Sequence, residues 1–355
     1  MVRADSAMPA QKINVSRSLV LTGCGLVTPF GAGPMETVFR STCLGVDGSA
    51  AAKLRSIPDS MINQIPVPAG ELAKDRIGRI AATAFTFAAR QSGLIGSPPD
   101  PNRVGLILVS AQAGQGGMMR FAEEVRAQSP RFVSPIHFPE TVGNYLAGAL
   151  ARAFGLRGPN ATLSGGPDAG LEAFIEGAEL IAHQAADMVF VGGCETWVSR
   201  LVEHAPVDQR PAAEASCFFV MESEESAATR GAAVLAWIDI GLDSAGGSSR
   251  PDVRAVATGI MKDAICIEPW FGFCPSSSVA IGVAAAIAYG NDFPVPMCQN
   301  VSPYETTPMQ VGADRLRDQR ELHAVVTANT AFDAENRIHL RINRCQMAWN
   351  SEAAS

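Results

Sequence analysis

The segment Ala161-Thr162-Leu163-Ser164-Gly165-Gly166-Pro167-Asp168 decides the fold of this chain. Residues 161–164 predict a short strand, residues 165–168 a sharp turn, and the alanine-rich stretch 169–184 a helix. A strand that enters a tight glycine turn and leaves as a helix has the geometry of a nucleophile elbow. Such a turn lifts one side chain above a sheet and points a helix N-terminus at the reacting oxygen.

Strand and helix patterns alternate on both sides of this turn. The other predicted strands are 18–23, 104–109, 187–192, 217–221, 232–240, 324–328 and 338–342, and the other predicted helices are 74–91, 142–154 and 276–289. A glycine-rich loop is predicted through Gly114, Gly116 and Gly117. This alternation predicts an α/β layered fold whose strands are largely buried.

The composition excludes several classes of protein. Of the 355 residues, 47% are hydrophobic and 18% charged, which is typical of a chain that buries a substantial core. The net charge of −7 argues against a nucleic-acid or anionic-membrane partner, since either calls for a basic face. No apolar run reaches the roughly 18 residues of a membrane span, and we expect a cytoplasmic protein. The eight Cys and five His are dispersed, so neither a disulfide framework nor a metal site is expected.

Two glycine motifs suggest chemistry that their details do not support. Gly23-Cys24-Gly25 follows a strand, but Thr28 and Pro29 stand where a dinucleotide fingerprint needs its third glycine. At the predicted elbow, Pro167 offers neither a nucleophilic atom nor an N–H. Asp168 is the reactive group nearby, and either caps the helix or takes part in catalysis.

Several motifs in order resemble the β-ketoacyl-acyl-carrier-protein synthase family of thiolase-fold condensing enzymes. The similar segments are Val20–Gly31, Asp75-Arg76 with the helix after it, Val104–Gly117, Gly155–Asn160 and Gly177–Glu195. Together they cover most of residues 18–240. The resemblance implies a thiolase-like fold with duplicated α/β halves in a layered α-β-α-β-α arrangement, the second half being shortened.

Condensation in this family uses a cysteine at the elbow and two histidines, and the resemblance implies that this chain has lost all three. Pro167 stands at the cysteine position. Ala257-Thr258-Gly259 and Gly272-Phe273 are the nearest matches to the histidine motifs, which places Thr258 and Phe273 at those two positions. No histidine occurs between residues 204 and 323 that a shift of alignment would bring there. We therefore expect no catalytic residue, cofactor or metal for condensation.

A scaffold of this family without its chemistry resembles the chain-length factors of type II polyketide synthases. That resemblance implies a heterodimer with an active ketosynthase, and an acyl carrier protein that brings its phosphopantetheine-bound chain to the complex. The implied dimer-interface residues are Ala161, Thr162, Leu163 and Ser164. The candidate pocket or tunnel residues are His137, Phe138, Asp168 and Phe332. One departure is that chain-length factors often carry Gln at the position of Pro167.

Two alternatives stay open at this point. One is a scaffold that binds only an acyl chain or a carrier protein. The other is a thioester-processing enzyme whose chemistry has moved to Asp168, Cys217 or Cys274. For the domain organisation we predict tails at 1–16 and 347–355, an N-terminal half at 17–230 and a shortened C-terminal half at 231–346.

Overall fold

The computed structural model describes residues 18–45, 54–63, 68, 70–95, 100–197, 212–242, 261–265, 271, 274–291, 295, 297–301, 309–314, 321–328 and 336–343. The two predicted tails lie outside these residues, and so do Thr258, Phe273 and Phe332. The division into two halves stays a prediction, and its boundary at residue 230 directly follows a short helix that ends at Thr229.

Helices and strands are interspersed along the described parts of the chain. The helices are α1 (Met35–Gly45), α2 (Asp59–Ile62), α3 (Glu71–Lys74), α4 (Arg76–Gln91), α5 (Gln115–Gln128), α6 (Tyr145–Phe154), α7 (Pro167–Ala182), α8 (Glu224–Thr229) and α9 (Pro275–Gly290). The strands are β1 (Leu19–Thr28), β2 (Gly31–Gly33), β3 (Leu54–Arg55), β4 (Val104–Val109), β5 (Asn160–Leu163), β6 (Met188–Glu195), β7 (Ala212–Ala213), β8 (Ala215–Ser223), β9 (Ala236–Leu242), β10 (Met261–Ile265), β11 (Met297–Val301), β12 (Met309–Asp314), β13 (Glu321–Ala328) and β14 (Asn336–Asn343). A 3₁₀ helix covers Pro135–Thr141.

Most strands form one 12-stranded mixed sheet. Its order is β11-β10-β12-β13-β14-β9-β1-β8-β6-β4-β5, with β2 paired to β1 beside this path. In the first half, β4 lies parallel to both β5 and β6, whereas β8 is antiparallel to β6 and to β1. In the second half, each neighbouring pair from β9 to β11 is antiparallel. The described strands up to β8 therefore mix parallel and antiparallel pairs in this sheet, whereas those from β9 onward pair only antiparallel with one another.

Helices cover the sheet in layers. Helices α4 and α6 pack on one face of the first-half strands. Helices α7 and α9 pack against each other, and both contact strands of each half, so they form a central layer. The described residues thus show the layered mixed α/β fold that the alternating sequence pattern predicts.

Strands β1, β4, β6 and β8 are buried on both faces, and alternate residues along them pack into different cores. On β8, Phe219 and Met221 pack toward the central helices, whereas Phe218 and Val220 pack toward α4. The same alternation separates Val191 from Phe190 on β6. Burial on both faces explains why these strands read as continuous apolar runs.

The Gly23-Cys24-Gly25 motif has a packing role. A Cβ atom on Gly23 would lie 2.3 Å from the carbonyl oxygen of Ala88 in α4. Helix α4 therefore rests directly on the backbone of β1, which only glycine permits. Close packing of α4 on β1 therefore explains the glycines of this motif without nucleotide binding.

Three local predictions need correction. The glycine-rich loop ends at Gly114, and α5 begins at Gln115. Gly117 lets this helix pack closely on the 3₁₀ helix, because a Cβ there would lie 2.1 Å from the carbonyl oxygen of Glu140. Helix α6 begins at Tyr145, three residues later than predicted, and β9 begins at Ala236 and not at residue 232.

Candidate active site

The candidate site lies at the carboxyl ends of the parallel strands β4, β5 and β6. Helix α7 begins at this edge because it starts a few residues after β5 ends. Helix α9 also begins here, since the backbone N–H of Ala111, just after β4, donates to the Ser276 hydroxyl at 2.7 Å. In α/β sheets, ligands bind outside the carboxyl ends of the strands, where helix N-termini meet.

The elbow after β5 has the geometry of an ordinary helix start. Pro167 is the first residue of α7, and Gly166 before it has φ −84° and ψ −150°. No residue from Ser164 to Asp168, all within the described chain, has a positive φ. Proline is well suited to the first helical position because it lacks an N–H that the helix would not use. This turn therefore stores none of the backbone strain of a nucleophile elbow.

Asp168 lies in the first turn of α7 and its side chain is exposed. The residue at the cap is Gly166, so Asp168 does not occupy the cap position itself. Its charge favours the helix through the macrodipole, whose positive end is at the N-terminus.

A buried carboxyl group lies at this edge of the sheet, and the sequence analysis did not predict it. Glu195 is the last residue of β6 and is fully buried. The Ser276 hydroxyl donates to its Oε2 atom, while its Oε1 atom has no hydrogen-bond partner. Burial raises the pKa of Glu195 to about 7, although the Ser276 hydroxyl and the amides of Ala111 and Gln112 favour the charged form in part. Two sequence signals point to this cluster. Glu195 ends an otherwise apolar strand, and the three serines at 276–278 begin a helix of small residues.

The cysteines considered for relocated chemistry lie in the core. Cys217 and Cys274 both have 0% exposed area. Cys24 and Cys194 are also buried, and burial raises the pKa of both those thiols well above the ordinary range. Buried thiols in apolar surroundings are poor nucleophiles. The hypothesis of a thioester-processing enzyme that uses these residues gains no support from the geometry.

The predicted tunnel residues His137 and Phe138 lie in the 3₁₀ helix and are exposed. His137 Nδ1 is 2.8 Å from Glu124 Oε1, and the ring of Phe138 packs edge-on against Phe121 with centroids 6.1 Å apart. Both contacts join the 3₁₀ helix to α5. We call residues 115–142 the arm.

The arm carries large apolar side chains on its surface. Phe132 is 73% exposed, Met118 and Phe138 are each 56% exposed, and Val142 is 40% exposed. Ion pairs hold the arm in place: Arg120 lies 2.9 Å from Glu140 and 3.6 Å from Asp75. An exposed apolar group on a fixed framework is typical of a surface that binds another protein.

The predicted interface residues lie on β5, which forms one edge of the sheet. Ala161, Thr162 and Leu163 are half-buried and Ser164 is exposed. Strand β5 pairs only with β4, so one row of its backbone groups has no strand partner within the described residues. Helix α6 contacts both the 3₁₀ helix of the arm and β5.

Sequence comparisons show what this chain is similar to. Residues 68–213 match the model of the β-ketoacyl synthase N-terminal domain. The chain is 33% identical over 190 residues to 3-oxoacyl-[acyl-carrier-protein] synthase 2 of Vibrio cholerae, covering 50% of this chain and 46% of that protein. It is 26% identical over 288 residues to a granaticin polyketide protein of the β-ketoacyl synthase type from Streptomyces violaceoruber, covering 70% of this chain and 67% of that one. The chain spans about half the length of the 3-oxoacyl synthases that it matches.

Solved structures show the same fold. A type II polyketide synthase acyl-carrier protein in complex with its ketosynthase, bound to the hexaketide, superposes with a TM-score of 0.62 at 14% identity, covering 92% of this chain and 99% of that chain. The ishigamide ketosynthase/chain length factor superposes with a TM-score of 0.60 at 17% identity, again covering 92% and 99%. The expected thiolase-like fold is thereby confirmed. None of the helices in the described ranges is both long and apolar enough to cross a bilayer.

Proposed function

The chain is a β-ketoacyl-synthase-like member of the thiolase-fold condensing enzymes, and from this premise we propose that it is a non-catalytic subunit of type II polyketide or fatty-acid biosynthesis. It pairs with an active β-ketoacyl-acyl-carrier-protein synthase and shapes the tunnel that holds the growing chain. The observation that carries the proposal is the helix start at Pro167, where the relatives that condense thioesters need a nucleophile. A proline there has no side-chain group that attacks a thioester.

The edge strand β5 supports the pairing part of this proposal. Leu106 N donates to Pro159 O and Ser110 N donates to Leu163 O, so the backbone of residues 159, 161 and 163 faces β4. The backbone of residues 160, 162 and 164 therefore faces away from β4, because these groups alternate along a strand. A strand from a partner subunit hydrogen-bonds to this outer row and continues the sheet.

The arm supports the same pairing. Its residues Phe132 and Phe138 are exposed, and its 3₁₀ helix contacts α6, which also contacts β5. A partner that adds a strand to β5 also covers part of the arm, and so removes apolar surface from water at about 25 cal/mol per Å². In this proposal His137 and Phe138 form part of the tunnel wall at the interface. An acyl carrier protein delivers its phosphopantetheine-bound chain to the complex.

Co-expression with a ketosynthase that retains its cysteine and both histidines tests the proposal. We expect a stable one-to-one complex in size-exclusion chromatography with light scattering. Thr162→Pro removes an outward N–H and should abolish the complex, whereas the matched control Thr162→Val keeps that N–H and should preserve it. Recovery of the wild-type chain as a monomer beside the folded ketosynthase would overturn the pairing. If such a monomer retains an acyl chain, the role is that of a scaffold.

A further inference from the structure

The first turn of α9 is joined to the sheet by a short chain of hydrogen bonds. The Ala111 N–H donates to Ser276 Oγ at 2.7 Å, and the Ser276 hydroxyl donates in turn to Glu195 Oε2. The next residue adds a second attachment, since Ser277 Oγ donates to the Ala215 carbonyl oxygen at 3.0 Å. The helix start lies directly on β6, because a Cβ on Gly193 would be 2.0 Å from the Ser276 carbonyl oxygen.

Glu195 has an acceptor that this arrangement leaves unused. Its Oε1 atom is buried and accepts no hydrogen bond, and no cation of the described residues forms an ion pair with the carboxyl group. A buried carboxylate without full hydrogen bonding is costly, whereas the neutral acid is tolerated. The titratable or charged groups on the elements packed around this end of β6 are Asp168 of α7, Glu214 and Cys217 at β8, Cys194 on β6, Cys274 before α9, and Asp75 and Arg76 at the start of α4. Arg76 is already paired with Glu214, so it does not neutralise Glu195.

The elements packed around Glu195 differ in how they are held in place. Strands β4, β6 and β8 are held by ladders on both sides. The first turn of α9 is also buried, but it is held to this edge by the side chains of Ser276 and Ser277 and not by a strand ladder. When the carboxyl ionises and needs water, the start of α9 is therefore the element that we expect to move.

We propose that Glu195 and Ser276 form a pH-dependent latch that holds the first turn of α9 closed over the candidate site while Glu195 is protonated and releases it when Glu195 ionises. The latch goes beyond the proposed function, because it belongs to this chain alone and does not require a partner subunit. A pKa of about 7 for the buried acid places the change near neutral pH. In the open form the carboxyl group returns toward its ordinary pKa, so opening becomes easier as the pH rises.

Hydrogen exchange on the isolated full-length chain tests the latch. Protection of peptides that begin at Cys274 is measured at pH 6 and pH 8, corrected for intrinsic exchange and compared with peptides from α4. We expect the protection of the α9 start to fall on the order of tenfold between these pH values, while α4 changes little. Because this measurement uses the wild-type chain, an unchanged protection overturns the proposal without any variant.

Three variants separate the latch from general loosening of the helix. Glu195→Gln keeps the shape without the charge and should abolish the pH dependence. Ser276→Ala removes the bridge and should lower protection at pH 6 to near its value at pH 8. Ser278→Ala is the matched control, since Ser278 Oγ donates to the Pro275 carbonyl oxygen at 2.9 Å within the same turn, and it should keep the wild-type pH dependence. If Glu195→Gln titrates like wild type, the latch is wrong, whereas failure of the ketosynthase to bind leaves these results unaffected.

Discussion

Gly25 of β1 lies so close to Ala84 of α4 that a Cβ atom on Gly25 would stand 2.0 Å from the Ala84 carbonyl oxygen. This contact fixes the distance between α4 and β1, which lies near the middle of the 12-stranded sheet. Since the obstacle is backbone, neither side of the contact has a flexible group that makes room.

Gly25→Ala should therefore destabilise the fold by about 1–3 kcal/mol or more, through overpacking between β1 and α4. The measurement is the free energy of unfolding from urea denaturation followed by circular dichroism. Gly31→Ala is the control, because its Cβ would have its nearest neighbour at 3.5 Å and should change the stability little. Equal effects at the two positions would contradict this account of the motif.

The pair formed by Arg230 and Glu222 gives a second prediction. Glu222 is fully buried, and its carboxylate accepts from Arg230, from Thr22 Oγ1 at 2.6 Å and from Ser226 Oγ at 2.8 Å. Arg230→Met leaves this charge without its cation and should cost about 3–5 kcal/mol of unfolding free energy. The double variant Arg230→Met with Glu222→Leu should cost less than Arg230→Met alone. Additive losses in this double-mutant cycle would show that the two side chains act independently.

Glu195 makes stability depend on pH in an unusual direction. Its pKa in the folded chain is about 7, against an ordinary value of 4.5. Between these values the unfolded chain has already lost the proton that the folded chain retains, so stability falls as the pH rises from 4.5 to 7. The free energy of unfolding falls by about 3 kcal/mol in total over this range, and it does not recover at higher pH.

Glu195→Gln should remove this penalty, because an amide carries no charge to desolvate. At pH 8 we expect the variant to be more stable than wild type by about 1–3 kcal/mol, and at pH 4.5 to have equal or lower stability. Urea denaturation at both pH values gives the difference in unfolding free energy between the two proteins. The contributions of the other titrating groups are the same in both proteins and drop out of this difference. A variant less stable than wild type at pH 8 would mean that the ionised carboxylate is well solvated or paired.

The sequence predicted the long strands before residue 230 and the turn at Gly165-Gly166 because their signals are local. Apolar runs such as 104–109 and the turn at Gly165-Gly166 need no knowledge of distant residues. Helix α5 was not predicted because its first turn contains Gly116 and Gly117, and glycine normally disfavours a helix. Gly117 is required there because the backbone of Glu140 leaves no room for a side chain. Glu195 was missed because its partners, Ser276 and the Ala111 amide, reach it only through the tertiary fold.

The helix start at Pro167 yields the last prediction. Pro167→Cys places a thiol in the first turn of α7, where the helix macrodipole favours the thiolate. We expect this variant to accept an acyl group from an acyl thioester, detected as a mass increase of the intact protein. Ser164→Cys is the matched control, because it places an exposed thiol before the helix and outside its first turn, and it should acylate more slowly. Neither variant should release CO₂ from a malonyl extender, because we expect Thr258 and Phe273 at the positions where the family has histidines. CO₂ release by Pro167→Cys would show that the decarboxylating groups survive elsewhere in the chain and would contradict the non-catalytic role.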